Sequence, residues 1–99
     1  MPQDDAPVFK SKNDITREEL ADLFQTLADR ASEGDLTLTK GTDQVHLVLP
    51  DGCRIELEVS DSPRDGGIER ELELEITWKV DEQGAPLEGQ TPRRGFTIS

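Results

Sequence analysis

The stretch from Ile68 to Val80 constrains the fold more than any other part of the chain. Its apolar residues alternate with polar ones, as Leu72, Leu74, Ile76, Trp78 and Val80 against Glu71, Glu73, Glu75, Thr77 and Lys79. A period of two puts one kind of side chain on each face of an extended strand. The sequence therefore predicts a half-buried antiparallel strand with an apolar face and a row of carboxylates.

The charge balance of the chain narrows the classes of partner. The 99 residues include 22 Asp and Glu against 11 Lys and Arg, a formal net charge of -11. A chain of this length suits one small domain with a single core. Because a negative field repels phosphates and anionic lipid headgroups, we expect no nucleic acid and no membrane as partner. Basic proteins, cations or high salt fit better, and solubility alone is the simpler reading of the acidity.

Cysteine content and the first residues bear on the compartment. Cys53 is the single cysteine and cannot form an internal disulfide. Residues 1–14 are polar and acidic and lack the basic start and apolar run of a signal peptide, and no apolar run is long enough to span a bilayer. We expect a cytoplasmic protein.

One helix boundary is predicted by several signals at once. Thr16 is a candidate N-cap, with Glu19 three residues later to complete a capping box. Apolar residues then recur at helical spacing up to Gly34, a residue that commonly ends helices in the left-handed conformation. The predicted helix runs from Arg17 to Glu33.

After Gly34 the apolar period changes to two, which predicts strands. Gly41-Thr42 is expected to close a first hairpin that pairs Leu38 with Val45, and Pro50-Asp51-Gly52 a second one that pairs Leu49 with Cys53. A looser connection, Ser60 to Gly67, leads to the long strand. The predicted fold class is α+β: one amphipathic helix packed on one face of a four-stranded antiparallel meander, with a short extra N-terminal strand near Val8.

The predicted domain organisation is simple. Residues 1–6 are expected to be a flexible N-terminus and residues 7–80 a single α+β domain. Residues 81–99 are rich in Gly, Pro and polar residues and are predicted to be a disordered tail.

Residues that could carry chemistry are few. His46 is the sole histidine and, in the predicted register, faces Glu56, where it could bind a metal or move a proton; an ordinary cross-strand pair is the simpler interpretation. Cys53 has the parity of a core residue, and a thiol in apolar surroundings is inert. No nucleophile elbow, phosphate-binding loop or metalloprotease motif is present. We therefore predict no enzyme, no catalytic residue, no metal site and no cofactor.

The remaining candidates are surfaces for a partner. The outer face of two neighbouring strands should carry a row of carboxylates, and the tail adds two arginines and an aromatic residue. A carboxylate row can dock a basic partner, or it can be a solvated face that discourages aggregation. The candidate partner-binding residues are Glu56, Glu58, Glu71, Glu73, Glu75, Arg93, Arg94 and Phe96.

These elements together resemble a known family. An extended piece from Val8 to Ser11, the helix that starts Thr16-Arg17-Glu18-Glu19-Leu20, the run Leu36-Thr37-Leu38, and the strand that ends Leu74-Glu75-Ile76-Thr77-Trp78 are similar to the amphi-Trp domain. The resemblance covers residues 7–79. It implies a small acidic protein and no catalytic residue to carry over, because the family has no assigned activity.

The sequence leaves three functional hypotheses. The first is a non-enzymatic interaction module that binds another protein, in particular a basic one, through the carboxylate face or a sheet edge. The second is a small acidic homodimer that acts as a chaperone for a basic or aggregation-prone client. The third is an enzyme or metal binder that uses His46 with Glu56.

Overall fold

The computed structural model describes residues 7–87 and 95–99, with one helix and four strands. Helix α1 spans Arg17–Glu33, and the strands are β1 (Asp35–Lys40), β2 (Asp43–Val48), β3 (Arg54–Arg64) and β4 (Gly67–Thr77). The class is α+β, as predicted. The chain divides into two compact units, Met1–Leu49 and Pro50–Ser99. None of the described helices is long and apolar enough to cross a membrane.

Helix α1 begins and ends where the sequence predicts. The Thr16 side chain accepts a hydrogen bond from the Glu19 amide at 3.1 Å, and the Glu19 carboxylate accepts one from the Thr16 amide at 2.9 Å. These reciprocal bonds satisfy two of the amides that a helix start leaves unpaired. At the other end Gly34 has a φ of 90°, and its amide donates to the carbonyls of Arg30 and Ala31. Both predicted caps are confirmed.

The first hairpin has the predicted register. Strand β1 pairs with β2 antiparallel, with Leu38 opposite Val45 and Leu36 opposite Leu47. The turn is Gly41-Thr42, and Gly41 has the positive φ, 60°, that the turn requires. The Leu49 amide donates to the Gly34 carbonyl at 2.8 Å, which ties the end of the hairpin to the end of the helix.

Helix α1 contacts β1 within the first unit. No described residue is fully buried, so the apolar interior of this unit consists of half-buried side chains. These are Phe9, Leu27, Leu36, Val45, Leu47 and Leu49. The stretch around Val8 is a bend rather than the short N-terminal strand that the sequence suggested.

The four strands form two two-stranded sheets, β1-β2 and β3-β4, so the prediction of one four-stranded meander was wrong. The predicted pair of Leu49 with Cys53 is absent from the described ladders. Strand β3 starts only at Arg54, so five residues separate it from the end of β2 rather than the three of the predicted turn. Because a longer connection does not fix the register of a hairpin, the pattern of alternation alone could not specify this pairing.

The second hairpin is longer than predicted. Both strands have 11 residues, and Asp65-Gly66 is the turn, with a φ of 86° at Gly66. The sequence predicted a loose connection from Ser60 to Gly67 because of Pro63, Gly66 and Gly67. Pro63 instead lies in β3 opposite Ile68, next to the turn. A strand tolerates proline at a position that faces its unpaired edge, because no hydrogen bond to a neighbouring strand needs the N–H that proline lacks.

Candidate functional site

The register of β3 and β4 sorts the side chains of this hairpin onto two different faces. Residues directly opposite each other in an antiparallel ladder share a face, and neighbours along a strand alternate. One face carries the apolar pairs Ile55 with Ile76, Leu57 with Leu74, and Val59 with Leu72. We call this the inner face. The opposite, outer face carries the carboxylates.

The outer face brings the predicted acidic residues together. Glu56 lies directly opposite Glu75, Glu58 opposite Glu73, and Glu71 opposite Ser60. All five glutamates are exposed. Like charges at directly opposite positions repel each other, and each such pair costs a sheet on the order of a few tenths of a kcal/mol. The arrangement therefore lowers the stability of the free hairpin.

The centre of the outer face forms a shallow, open depression of about 310 Å³. Glu56, Glu58, Glu73 and Glu75 line it together with Leu57. Within residues 7–87 and 95–99, none of these glutamates lies within 4.0 Å of a basic side chain. The depression therefore offers a positively charged group four carboxylates that form no ion pair with a described basic residue.

One further carboxylate, Glu69, extends the outer face toward the turn. It lies opposite Ser62, and its carboxylate is 3.1 Å from Arg64 Nη2. The sequence reading missed Glu69 as a site residue because it placed the partner strand in a loop. The Asp65-Gly66 dipeptide, a frequent hairpin turn, was the signal that could have revealed it.

An ion pair interrupts the inner face. Asp61 lies opposite Arg70, and the arginine binds both carboxylate oxygens, at 2.8 and 2.9 Å. This hydrogen bonding from Arg70 lowers the pKa of Asp61 below its ordinary value of 3.8 and raises the pKa of Arg70. The sequence reading missed this pair as well, for the same reason.

The histidine does not meet its predicted neighbour. His46 lies opposite Thr37 in the first hairpin, and its Nε2 is 3.9 Å from Asp35 Oδ2. The expectation that His46 faces Glu56 was wrong because it required β2 to pair with β3. Among the residues that the structure describes, no group of three or more His, Cys, Asp or Glu side chains could hold a metal ion.

Two residues with core parity, Cys53 and Trp78, lie outside the paired strands. Cys53 is exposed and precedes β3, so the expectation of a core thiol on the third strand was wrong. Trp78 directly follows β4 and is half-buried. The alternation that assigned these residues to a core extends past the paired part of the strands, and a side chain there has no opposite neighbour to pack against.

The tail begins with a hydrogen-bonded turn. The Asp81 carboxylate accepts hydrogen bonds from the amides of Gln83 and Ala85, both at 2.9 Å, and Val80 bridges to Pro86. Of the predicted tail contacts, Phe96 is half-buried. Arg93 and Arg94 lie outside the described residues.

Comparison with known proteins assigns the family. No curated protein and no solved structure matches the chain. The family model of the Amphi-Trp domain matches residues 1–99, a longer span than the residues 7–79 on which the resemblance was based. The chain therefore belongs to the Amphi-Trp domain family.

Proposed function

We propose that this protein is a non-enzymatic interaction module that binds a basic protein on the outer face of the β3-β4 hairpin. The observation that supports this proposal is the set of four carboxylates around one depression, with Glu56 opposite Glu75, Glu58 opposite Glu73 and no ion pair to any basic residue that the structure describes. A lysine- or arginine-rich surface placed there relieves the repulsion between them. Binding of the basic partner is therefore favoured twice: by the new ion pairs, and by relief of the repulsion between glutamates that destabilises the free hairpin.

A sheet is a suitable platform for such contacts. The strands hold the backbone of these glutamates at fixed spacing, so a partner needs to order only their side chains, and less entropy is lost on binding. Exposed charges of this kind act mainly on the association rate and on specificity, and salt weakens their attraction to a partner. The proposal therefore implies a partner whose affinity falls steeply as salt increases.

The proposal requires cover for the opposite, inner face, where the sequence predicts the helix. Whichever layer covers the inner face, the outer face lies on the opposite side of the strands and is free for a partner.

A pull-down from native lysate at working salt tests this function. The bait proteins are the intact chain, a chain that ends at Asp81, and a charge-reversed chain with Glu71→Lys, Glu73→Lys and Glu75→Lys. A fourth bait, with Asp22→Lys, Asp29→Lys and Asp43→Lys, has the same net charge but an unchanged outer face. We expect one dominant basic partner that is lost only with the outer-face variant. Equal capture of the partner by all four baits would contradict the outer face as the binding surface.

An acidic, homodimeric chaperone is the second candidate, and the exposed inner face favours it. Ile55, Leu57 and Leu74 are 44%, 39% and 42% exposed, as expected of a surface that holds unfolded apolar segments. Light scattering from a heat-aggregating client enzyme distinguishes the two functions. Suppression of aggregation at equimolar ratio supports the chaperone, and unchanged aggregation beside one captured partner supports the interaction module.

A further inference from the structure

Among the described residues of its own unit, no helix covers the inner face of the β3-β4 hairpin. Between Pro50 and Leu87 the described residues form strands, turns and connections, without a helix. A two-stranded hairpin alone is at best marginally stable in water, and it needs further strands or a packed layer. Apolar residues line three successive pairs of this face, from Ile55 and Ile76 to Val59 and Leu72, and these four are 39–63% exposed.

The one helix among the described residues is wide enough to cover one hairpin only. A helix with its side chains is about 10–12 Å across, and neighbouring strands are about 4.7–4.9 Å apart, so one helix covers about two strands. Helix α1 already contacts β1 in the first unit. The stretches outside the described residues, 1–6 and 88–94, are polar in sequence, with Met1 and Ala6 among their few apolar residues. Residues 7–87 and 95–99 thus contain two apolar hairpin faces and one amphipathic helix.

We propose that a second copy of this chain covers the inner face, so that two β3-β4 hairpins pack face to face in a homodimer. Each strand is 11 residues long, and the three successive apolar pairs of the face can pack against the same three pairs of a second copy related by a two-fold axis. Two such faces remove on the order of 1,000 Å² of accessible surface from water, the lower limit for a specific interface. We therefore expect a reversible dimer with a micromolar dissociation constant.

The charges of the hairpin are compatible with this arrangement. Packed sheets lie about 10 Å apart with their inner faces together, so the two carboxylate faces point away from each other. Their separation exceeds the Debye length of about 8 Å at physiological salt, which screens the repulsion between them. Dimerisation through an apolar face should hold or strengthen in high salt, whereas binding of a basic partner to the outer face should weaken.

The Asp61–Arg70 pair adds a constraint on register. It lies on the inner face between the Val59–Leu72 pair and the Pro63–Ile68 pair. The carboxylate and guanidinium are already joined by two hydrogen bonds, so they can approach an interface without an unpaired charge. A shift in register that places an apolar side chain of the second copy over the pair would desolvate it. The pair therefore favours alignment of the three apolar pairs with each other.

Sedimentation equilibrium of the full chain across low to high micromolar concentration tests the dimer. The variant is Leu72→Lys, at a position 63% exposed, so the change removes little contact from the monomer. Its matched control is Glu71→Lys, the neighbouring position on the outer face, with the same incoming side chain. We expect Leu72→Lys to raise the dissociation constant at least about tenfold, and Glu71→Lys to leave it unchanged or lower it.

A second measurement shows directly whether a second copy of the chain covers the inner face. In a mixture of isotope-labelled and unlabelled chains, filtered nuclear Overhauser effects should connect methyl groups of Val59, Leu72 and Leu74 in different copies. A monomer at every concentration would overturn the proposal, as would contacts from these methyl groups only to Phe24 or Leu20 of the same chain. Because partner binding uses the other face, loss of the dimer in Leu72→Lys with capture retained would separate this inference from the proposed function.

Discussion

Arg70 and Asp61 face each other across the β3-β4 ladder, and Arg70 Nε and Nη2 donate to the two Asp61 oxygens at 2.8 and 2.9 Å. The pair shares the inner face with Val59 and Leu72. A bidentate pair with both partners charged is the strongest geometry available to such side chains. It is the one charged pair set between apolar pairs of this hairpin, and it fixes the register of the two strands near the turn.

The first prediction concerns acid sensitivity. Because the pKa of Asp61 is lower in the folded chain than in the unfolded chain, the pair stabilises the fold above a pH of about 3.8. This contribution is lost as the pH falls through the lowered, folded-state pKa. We expect Asp61→Asn to lower the melting temperature slightly at neutral pH, by a few degrees at most, because both groups are exposed.

Thermal unfolding between neutral and strongly acidic pH checks this prediction. The difference in melting temperature between the original chain and Asp61→Asn should vanish at strongly acidic pH. The control is Asp51→Asn, an exposed aspartate in the loop before β3. A difference of constant size at all pH values would show that Asp61 acts through packing and not through its charge.

The second prediction concerns repulsion on the outer face. Glu58 and Glu73 are directly opposite, so Glu73→Gln removes one like-charge pair while it retains the shape of the side chain. We expect a gain of a few tenths of a kcal/mol in the free energy of unfolding at low salt. The gain should disappear in high salt, where the charges are screened. Denaturant unfolding at two salt concentrations measures it, with Glu82→Gln in the turn after β4 as control; a loss of stability would contradict the repulsion.

The third prediction concerns the start of α1. Thr16→Ala removes the side-chain acceptor of the capping box, leaves the Glu19 amide without its partner and should cost about 1 kcal/mol. Thr16→Ser keeps the hydroxyl and should restore most of the loss. Circular dichroism during denaturant unfolding measures both. Equal stabilities of the Ala and Ser variants would mean that the cap contributes nothing.

The fourth prediction concerns the turn of the long hairpin. Gly66 has a φ of 86°, a conformation that side-chain-bearing residues rarely adopt, although a Cβ added there meets open space. We expect Gly66→Ala to destabilise the second unit by about 1 kcal/mol through backbone strain alone. Gly66→Asn should cost less, because asparagine tolerates this region better. Unfolding monitored by the fluorescence of Trp78 reports on the same unit, and an unaffected midpoint for Gly66→Ala would contradict the expectation.

Local signals in the sequence predicted local structure well. The Thr16–Glu19 capping box and Gly34 fixed both ends of the helix because each acts within one turn of it. The Gly41-Thr42 turn fixed the first hairpin because a two-residue loop permits only one register. The five glutamates of the outer face were also placed together correctly, since each follows from alternation within β3 or β4.

Pairing between strands was harder to predict when the connection was long or the turn was misread. The five residues before Arg54 leave the partner of β3 open, and alternation satisfies a pairing with either β2 or β4. Pro63 suggested a loop, which hid the Asp65-Gly66 turn and with it the opposition of Asp61 to Arg70. The placement of His46 failed for the same reason, because it depended on a strand pair and not on its own strand.

The most direct test of the outer face as a binding surface is calorimetric titration of the basic protein recovered by pull-down. The titration compares the original chain, the variant with Glu71→Lys, Glu73→Lys and Glu75→Lys, and the equal-charge variant with Asp22→Lys, Asp29→Lys and Asp43→Lys. We predict that the outer-face variant weakens the affinity by at least about tenfold and that the equal-charge variant has a much smaller effect. Equal weakening by both variants would show that the partner responds to net charge alone, and unchanged affinity in the outer-face variant would contradict the proposed binding surface.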